Sequence, residues 1–123
     1  MTYRQFSRSK YNAKKASADG FTFDSQAEER RYQELKTLEQ AGKITGLEVH
    51  KRYRLTEAFK HNGETVRAIH YVADFAYSEG GHAVVEDVKG GRDGKGTRTA
   101  VFEIKRKLFL LRYPEIELRI VEA

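Results

Sequence analysis

The stretch from Tyr71 to Gly90, YVADFAYSEGGHAVVEDVKG, leaves the chain few ways to fold. Two apolar segments flank a Gly-Gly pair, and a two-residue hairpin turn needs positive φ at both centres, which glycine adopts without a Cβ clash. With Gly80 and Gly81 in the turn, Glu79 pairs with His82, and the same ladder carried back sets Asp74 across from Asp87. Side chains alternate between faces, so Lys89 shares the face of Asp87, while Glu86 falls on the other. Directly opposed residues have Cβ atoms roughly 5 Å apart, a spacing two carboxylates tolerate poorly unless a cation lies between them. A divalent metal would meet that need.

What else the chain can hold is bounded by its length and composition. At 123 residues it supports one domain with a single core. It contains no cysteine, which removes disulfides, thiolate zinc sites and cysteine nucleophiles together and leaves carboxylates and histidines as metal ligands. Any metal is therefore expected to be hard and oxygen-bound, with magnesium first and manganese as a substitute. No run approaches the roughly 20 apolar residues of a membrane span, and the start lacks the apolar segment of a signal peptide. The expectation is a cytoplasmic protein with no membrane partner.

The net charge of +5 fits a polyanionic partner, and its distribution is more informative than its size. Arg4, Arg8, Lys10, Lys14 and Lys15 crowd residues 1–20 and are interleaved with Tyr3, Phe6 and Tyr11, a mixture suited to phosphate contacts and base stacking. Residues 1–20 are thus expected to be a basic flexible arm, and residues 21–123 a single domain. A solubilising tail would have the same composition. A second basic stretch, GGRDGKGTRT, follows Lys89 and offers Arg92, Lys95 and Arg98 to a nucleic-acid backbone. It does not match a phosphate-binding loop, which would need glycine at Lys89 and Ser or Thr at Gly96.

Between these stretches the order of elements is α+β. Ser25 followed by Glu28 reads as a capping box opening a helix that runs to Gly42, with Tyr32, Leu35 and Leu38 as its apolar stripe. Glu28 extends that stripe toward the core, whereas Glu29 points away. A strand is predicted around residues 49–56, a turn at His61-Asn62-Gly63-Glu64, a second helix over 99–112 ended by Pro114, and a last strand in IELRIVEA. The second helix is expected to bury Val101, Ile104, Leu108 and Leu111. Lys105 lies on another face of it, and His70, with no second histidine at ligand spacing, reads as structural or surface.

Each acidic residue alone has a simpler explanation: Glu28 as a helix cap, Asp74 as a solubility charge, Asp87 and Lys89 as an ion pair. Their order along the chain adds more. A helix carrying Ser-x-x-Glu, a strand ending Ala-Asp-Phe, a tight turn and then Val-Val-Glu-Asp-Val-Lys-Gly resembles the PD-(D/E)xK nuclease superfamily over roughly residues 21–121. The chain departs from that pattern at Ala73, where proline is usual, and at Asp87, where glutamate is common. More narrowly it resembles a small phage-encoded family of uncharacterised proteins, and it is similar in layout to endonuclease I type Holliday junction resolvases.

The resemblance implies a restriction-endonuclease-like αβββαβ core with a central mixed sheet flanked by two helices. It also implies Mg²⁺-dependent cleavage of DNA, including branched DNA, to 5′-phosphate products in a bacterial or phage-infected cell. Carried over by residue, Glu28, Asp74 and Asp87 are the metal-holding acids and Lys89 the catalytic lysine, with Lys105 placed to touch the substrate. Cutting two strands with one site each implies a homodimer. Two other functions share these motifs: a non-catalytic nucleic-acid-binding module, and a nuclease subunit of a transposition or packaging assembly.

Overall fold

The computed structural model describes residues 15–89 and 99–122. Its first element falls where sequence composition reads as an arm: β1 (Ala16–Ala18) and β2 (Phe21–Phe23) form an antiparallel hairpin around Asp19 and Gly20. Both turn residues have positive φ, 52° and 85°, the conformation of the primed turns that match the twist of paired strands. The hairpin is fastened to the rest of the domain, since the Tyr32 hydroxyl donates to Asp19 Oδ2 at 2.7 Å and Phe23 is fully buried.

Helix α1 (Gln26–Gln40) starts at Ser25, whose side chain accepts the Glu28 amide at 3.1 Å. Losing such a cap costs about 1 kcal/mol. The helix buries Glu28, Tyr32 and Leu35, as its apolar stripe requires, and Gly42 follows its C-cap with φ of 78°. The capping box is half made, because Glu28 uses its amide in the cap and turns its carboxylate elsewhere.

Strand β3 (Thr45–Thr56) is longer than the 49–56 predicted. The small exposed hairpin of β4 (Phe59–His61) and β5 (Glu64–Val66) turns at Asn62-Gly63. Strand β6 (Ile69–Glu79) and β7 (His82–Lys89) are joined by the Gly80-Gly81 turn, and Glu79 pairs with His82 as the sequence dictates. After α2 (Ala100–Arg112), β8 (Glu117–Glu122) returns parallel to β7. The main sheet has the order β3-β6-β7-β8, antiparallel in its first two pairings and parallel in the last, so the fold is α+β with a mixed sheet and two helices. Among the described residues no helix is long and apolar enough to cross a membrane.

Each helix faces its own core. Tyr32 and Leu35 of α1 pack with Phe75, Tyr77, Val84 and Val88, whereas Phe102 and Phe109 of α2 pack with Tyr53, Tyr71, Ala73 and Val85. The stripe expected for α2 is corrected by this packing. Val101, Ile104 and Leu111 are 61%, 59% and 79% exposed, and Leu108 is half-buried. Apolar residues surround this helix, so more than one stripe fits its period. The aromatic pair removes more apolar area from water, and Phe109 reaches the rings of Tyr53, Tyr71 and Tyr113 at centroid distances of 5.2, 5.4 and 5.2 Å.

Strands β3 and β6 serve both cores. Along β6, Tyr71 and Ala73 belong to the α2 side and Phe75 and Tyr77 to the α1 side. Along β3, Leu47 and Val49 pack on the α1 side and Tyr53 and Leu55 on the α2 side. Simple alternation would keep these odd-numbered residues on one face. The change occurs between Val49↔Phe75 and Lys51↔Ala73, where His50 lies opposite Asp74 and carries φ of 58°.

Candidate functional site

Three elements deliver a carboxylate to one pocket of about 340 Å³: Glu28 from the first turn of α1, Asp74 from the switch point of β6, and Asp87 from β7, with Lys89 beside them. The ladder between β6 and β7 is formed as far as Phe75↔Glu86, one pair short of the Asp74–Asp87 pairing expected from its register. There the Asp74 carboxylate takes over, accepting the Val88 amide at 2.7 Å. The strands part, and the opening is the site.

Asp87 and Lys89 are both buried and form an ion pair of 3.1 Å. The Lys89 ammonium also sits 3.7 Å from the centroid of the Phe102 ring, so α2 holds the lysine by a cation–π contact. Burial pushes the Glu28 carboxyl from 4.5 to about 7, helped by the charges of Asp24 and Asp87. Asp74 is raised further, by burial first and then by Asp87 and Glu28. Tyr71 belongs to the same environment: burial and the nearby charges of Asp87 and Asp74 hold its phenol in the protonated form.

Two polar atoms here, Glu28 Oε1 and the Tyr71 hydroxyl, are buried without a hydrogen-bond partner among the described residues. A buried carboxylate oxygen left in that state costs free energy that a cation would return. His50 Nε2 lies 3.9 Å from Glu28 Oε1, and single ligand atoms of Glu28, His50 and Asp74 all fall within 4.8 Å of one another. Two carboxylates and an imidazole at this spacing, with one oxygen orphaned, suit a divalent ion.

Glu86 is kept out of the site, as its place in the pleat requires. It is fully buried on the α1 side, where Arg31 grips it bidentately at 2.8 and 2.7 Å and the Tyr77 hydroxyl donates to it. The clamp ties α1 to β7 and so sets Glu28 relative to Asp87.

The basic candidates are not gathered at the pocket. Lys15 is exposed ahead of β1, and Lys105 lines a separate pocket with Ala68, Ile69 and His70. Arg4, Arg8, Lys10, Lys14, Arg92, Lys95 and Arg98 lie outside the described residues. The structure adds a cationic cluster that sequence reading missed: Arg52, Arg54 and Arg112 line an open surface depression with His70 and Glu57, and Arg54 and Arg112 pair with Glu57 at 3.1 and 3.5 Å. Arg52 and Arg54 are adjacent outward positions of one strand, but Arg112 joins them only through the packing of α2. His50 was missed for a similar reason, since nothing local marks it as the partner of Asp74.

No curated protein and no solved structure matches the chain. Residues 8–123 match the family described as a protein of unknown function (DUF1064), and the chain belongs to that family.

Proposed function

We propose that this protein is a divalent-metal-dependent DNA endonuclease of the PD-(D/E)xK type. The observation that carries the reading is the meeting of Glu28, Asp74 and Asp87 in one pocket, with Lys89 two residues beyond Asp87 and one Glu28 oxygen buried and unpaired. The succession α1, β3, β6, β7, α2, β8 also supports a restriction-endonuclease-like αβββαβ core, with the β1–β2 and β4–β5 hairpins as additions.

Glu28, Asp74 and Asp87 would hold Mg²⁺, or Mn²⁺ in its place. Such an ion, when bound, lowers the pKa of water and neutralises charge building on the phosphate. The chain's own groups do the positioning. The Val88 amide fixes Asp74, and Asp87 and Phe102 fix the Lys89 ammonium, which is placed to donate to the attacking water or a phosphate oxygen. The water oxygen joins phosphorus as the P–O3′ bond breaks, leaving a 5′-phosphate and a 3′-hydroxyl. The clustered Arg52, Arg54 and Arg112, together with the basic arm and the 90–98 stretch, would contact the DNA backbone. A homodimer would bring two sites to a duplex or four-way junction, and the exposed Val101, Ile104 and Leu111 of α2 are a surface such a pairing would cover.

The test is cleavage of labelled four-way junction, linear duplex and single-stranded DNA with Mg²⁺, Mn²⁺ or EDTA, comparing wild type with Lys89→Ala. Metal-dependent cutting that disappears in the variant is the expected result. Absence of cutting on every substrate with either metal would overturn the enzyme reading in favour of a DNA-binding module.

A further inference from the structure

We propose that His50 is a nitrogen ligand of the same centre and makes it select Mn²⁺ over Mg²⁺. The inference rests on the reading of Glu28, Asp74 and Asp87 as the oxygen donors, and it adds a residue that lies outside the acid-x-Lys pattern.

The backbone is the first ground. His50 has φ of 58°, in the left-handed region that costs an L-residue other than glycine free energy. It occupies this conformation inside a strand whose pairing continues on both sides, at Val49↔Phe75 and Lys51↔Ala73. No loop or turn demands it. The conformation does redirect the chain, since β3 and β6 exchange cores at the His50–Asp74 position. Strain held at one residue by well-formed surroundings is typical of places where a side chain has to be aimed.

The second ground is where the side chain goes. Nε2 stands 3.9 Å from Glu28 Oε1, beyond hydrogen-bond range, yet the ligand atoms of Glu28, His50 and Asp74 lie within 4.8 Å of one another. Two donors each about 2.1 Å from one ion are separated by roughly 3–4 Å, so the 3.9 Å between Nε2 and Glu28 Oε1, an ion pair when the imidazole is protonated, is also a spacing that a shared ion would bridge when it is neutral. Glu28 Oε1 is buried without a hydrogen-bond partner among the described residues, and the imidazole, 37% exposed, has one side toward the buried Phe23 ring at a centroid distance of 5.8 Å.

The third ground is chemical. Magnesium favours oxygen and gives up water reluctantly, whereas imidazole suits transition metals, so one nitrogen among carboxylates shifts preference from Mg²⁺ toward Mn²⁺.

Titration calorimetry and thermal shift on the full chain, with MnCl₂ or MgCl₂ alone, test this in wild type, His50→Gly and His50→Asn. Both replacements accept a positive φ, so both should fold. Wild type is expected to bind Mn²⁺ more tightly than Mg²⁺. His50→Gly should melt higher than wild type without metal, lose Mn²⁺ affinity by about tenfold and keep most of its Mg²⁺ affinity. His50→Asn should show the same collapse of preference. An unchanged preference in both variants, or an equal loss for both ions, would overturn the role of His50 and leave the carboxylate site standing. Failure of wild type to bind either ion would overturn the carboxylate reading itself.

Discussion

Asp74 and Val88 are joined by a 2.7 Å hydrogen bond from amide to carboxylate, just beyond the last backbone pair of β6 and β7. A side chain thus replaces a main-chain acceptor, and a carboxyl group is held in a pocket with two other acids.

Replacing that group separates its two roles. Asp74→Asn keeps an oxygen for the Val88 amide and removes a carboxyl whose ionisation is opposed by burial, Asp87 and Glu28. At alkaline pH, where that carboxyl ionises in wild type, the metal-free variant should therefore melt higher, by roughly 4 °C if about 1 kcal/mol of repulsion is relieved. Metal-dependent cleavage should fall by about 100-fold or more. Circular dichroism melts in EDTA and a labelled-DNA assay measure the two effects, which should have opposite signs.

The pH dependence of stability arises from the same crowding. Glu28 is raised from 4.5 to about 7 and Asp74 is raised further, in both cases first by burial. A folded-state pKa above the unfolded value means that the native state binds more protons, so the stabilisation is complete below the unfolded pKa and is lost as pH rises through the folded one. In EDTA, the melting temperature should decline between about pH 5 and pH 8, and Glu28→Gln should flatten the decline. A melting temperature that rises steadily over this range would contradict the assignment.

The Arg31–Glu86 clamp offers a test of how the site is held together. Arg31→Met leaves Glu86, fully buried, without its bidentate partner, which should cost about 3–5 kcal/mol. Adding Glu86→Gln removes the stranded charge and should recover part of the loss. A double-mutant cycle by urea unfolding gives the coupling directly; independent, additive effects would mean that the clamp contributes nothing as a pair.

DNA binding should register the cationic surface through salt. Substituting Arg52 and Arg112 together by alanine should lower the slope of log affinity against log salt by about 0.9 for each duplex phosphate that is no longer neutralised. Deleting residues 1–14, which spares the β1–β2 hairpin, should reduce the slope independently. Fluorescence anisotropy with a catalytically dead Lys89→Ala protein reads both, and an unchanged slope would remove the deleted group from the interface.

Much of this arrangement is legible in the chain because a few residues settle it locally. Gly80-Gly81 sets the hairpin register, Ser25 starts α1 with Glu28 on its inner side, and the pleat sends Glu86 away from Asp87. Asp19-Gly20 is an equally strong turn signal, but it sits among basic residues whose composition argues for an arm. The buried face of α2 was ambiguous because apolar residues surround that helix, and contacts with Tyr53, Tyr71 and Tyr113 made the choice. His50 was out of reach for a different reason: its placement depends on β3 lying against β6 in one register and on a backbone angle that a histidine seldom adopts.

The exchange of cores at His50 and Asp74 also bears on how the domain comes apart. Each of the two strands is built half into one hydrophobic cluster and half into the other, so neither cluster can be exposed by peeling off a strand that the other does not need. The two sides are therefore expected to melt as a single cooperative unit, with amides of Phe75 and Tyr53 exchanging through the same global opening.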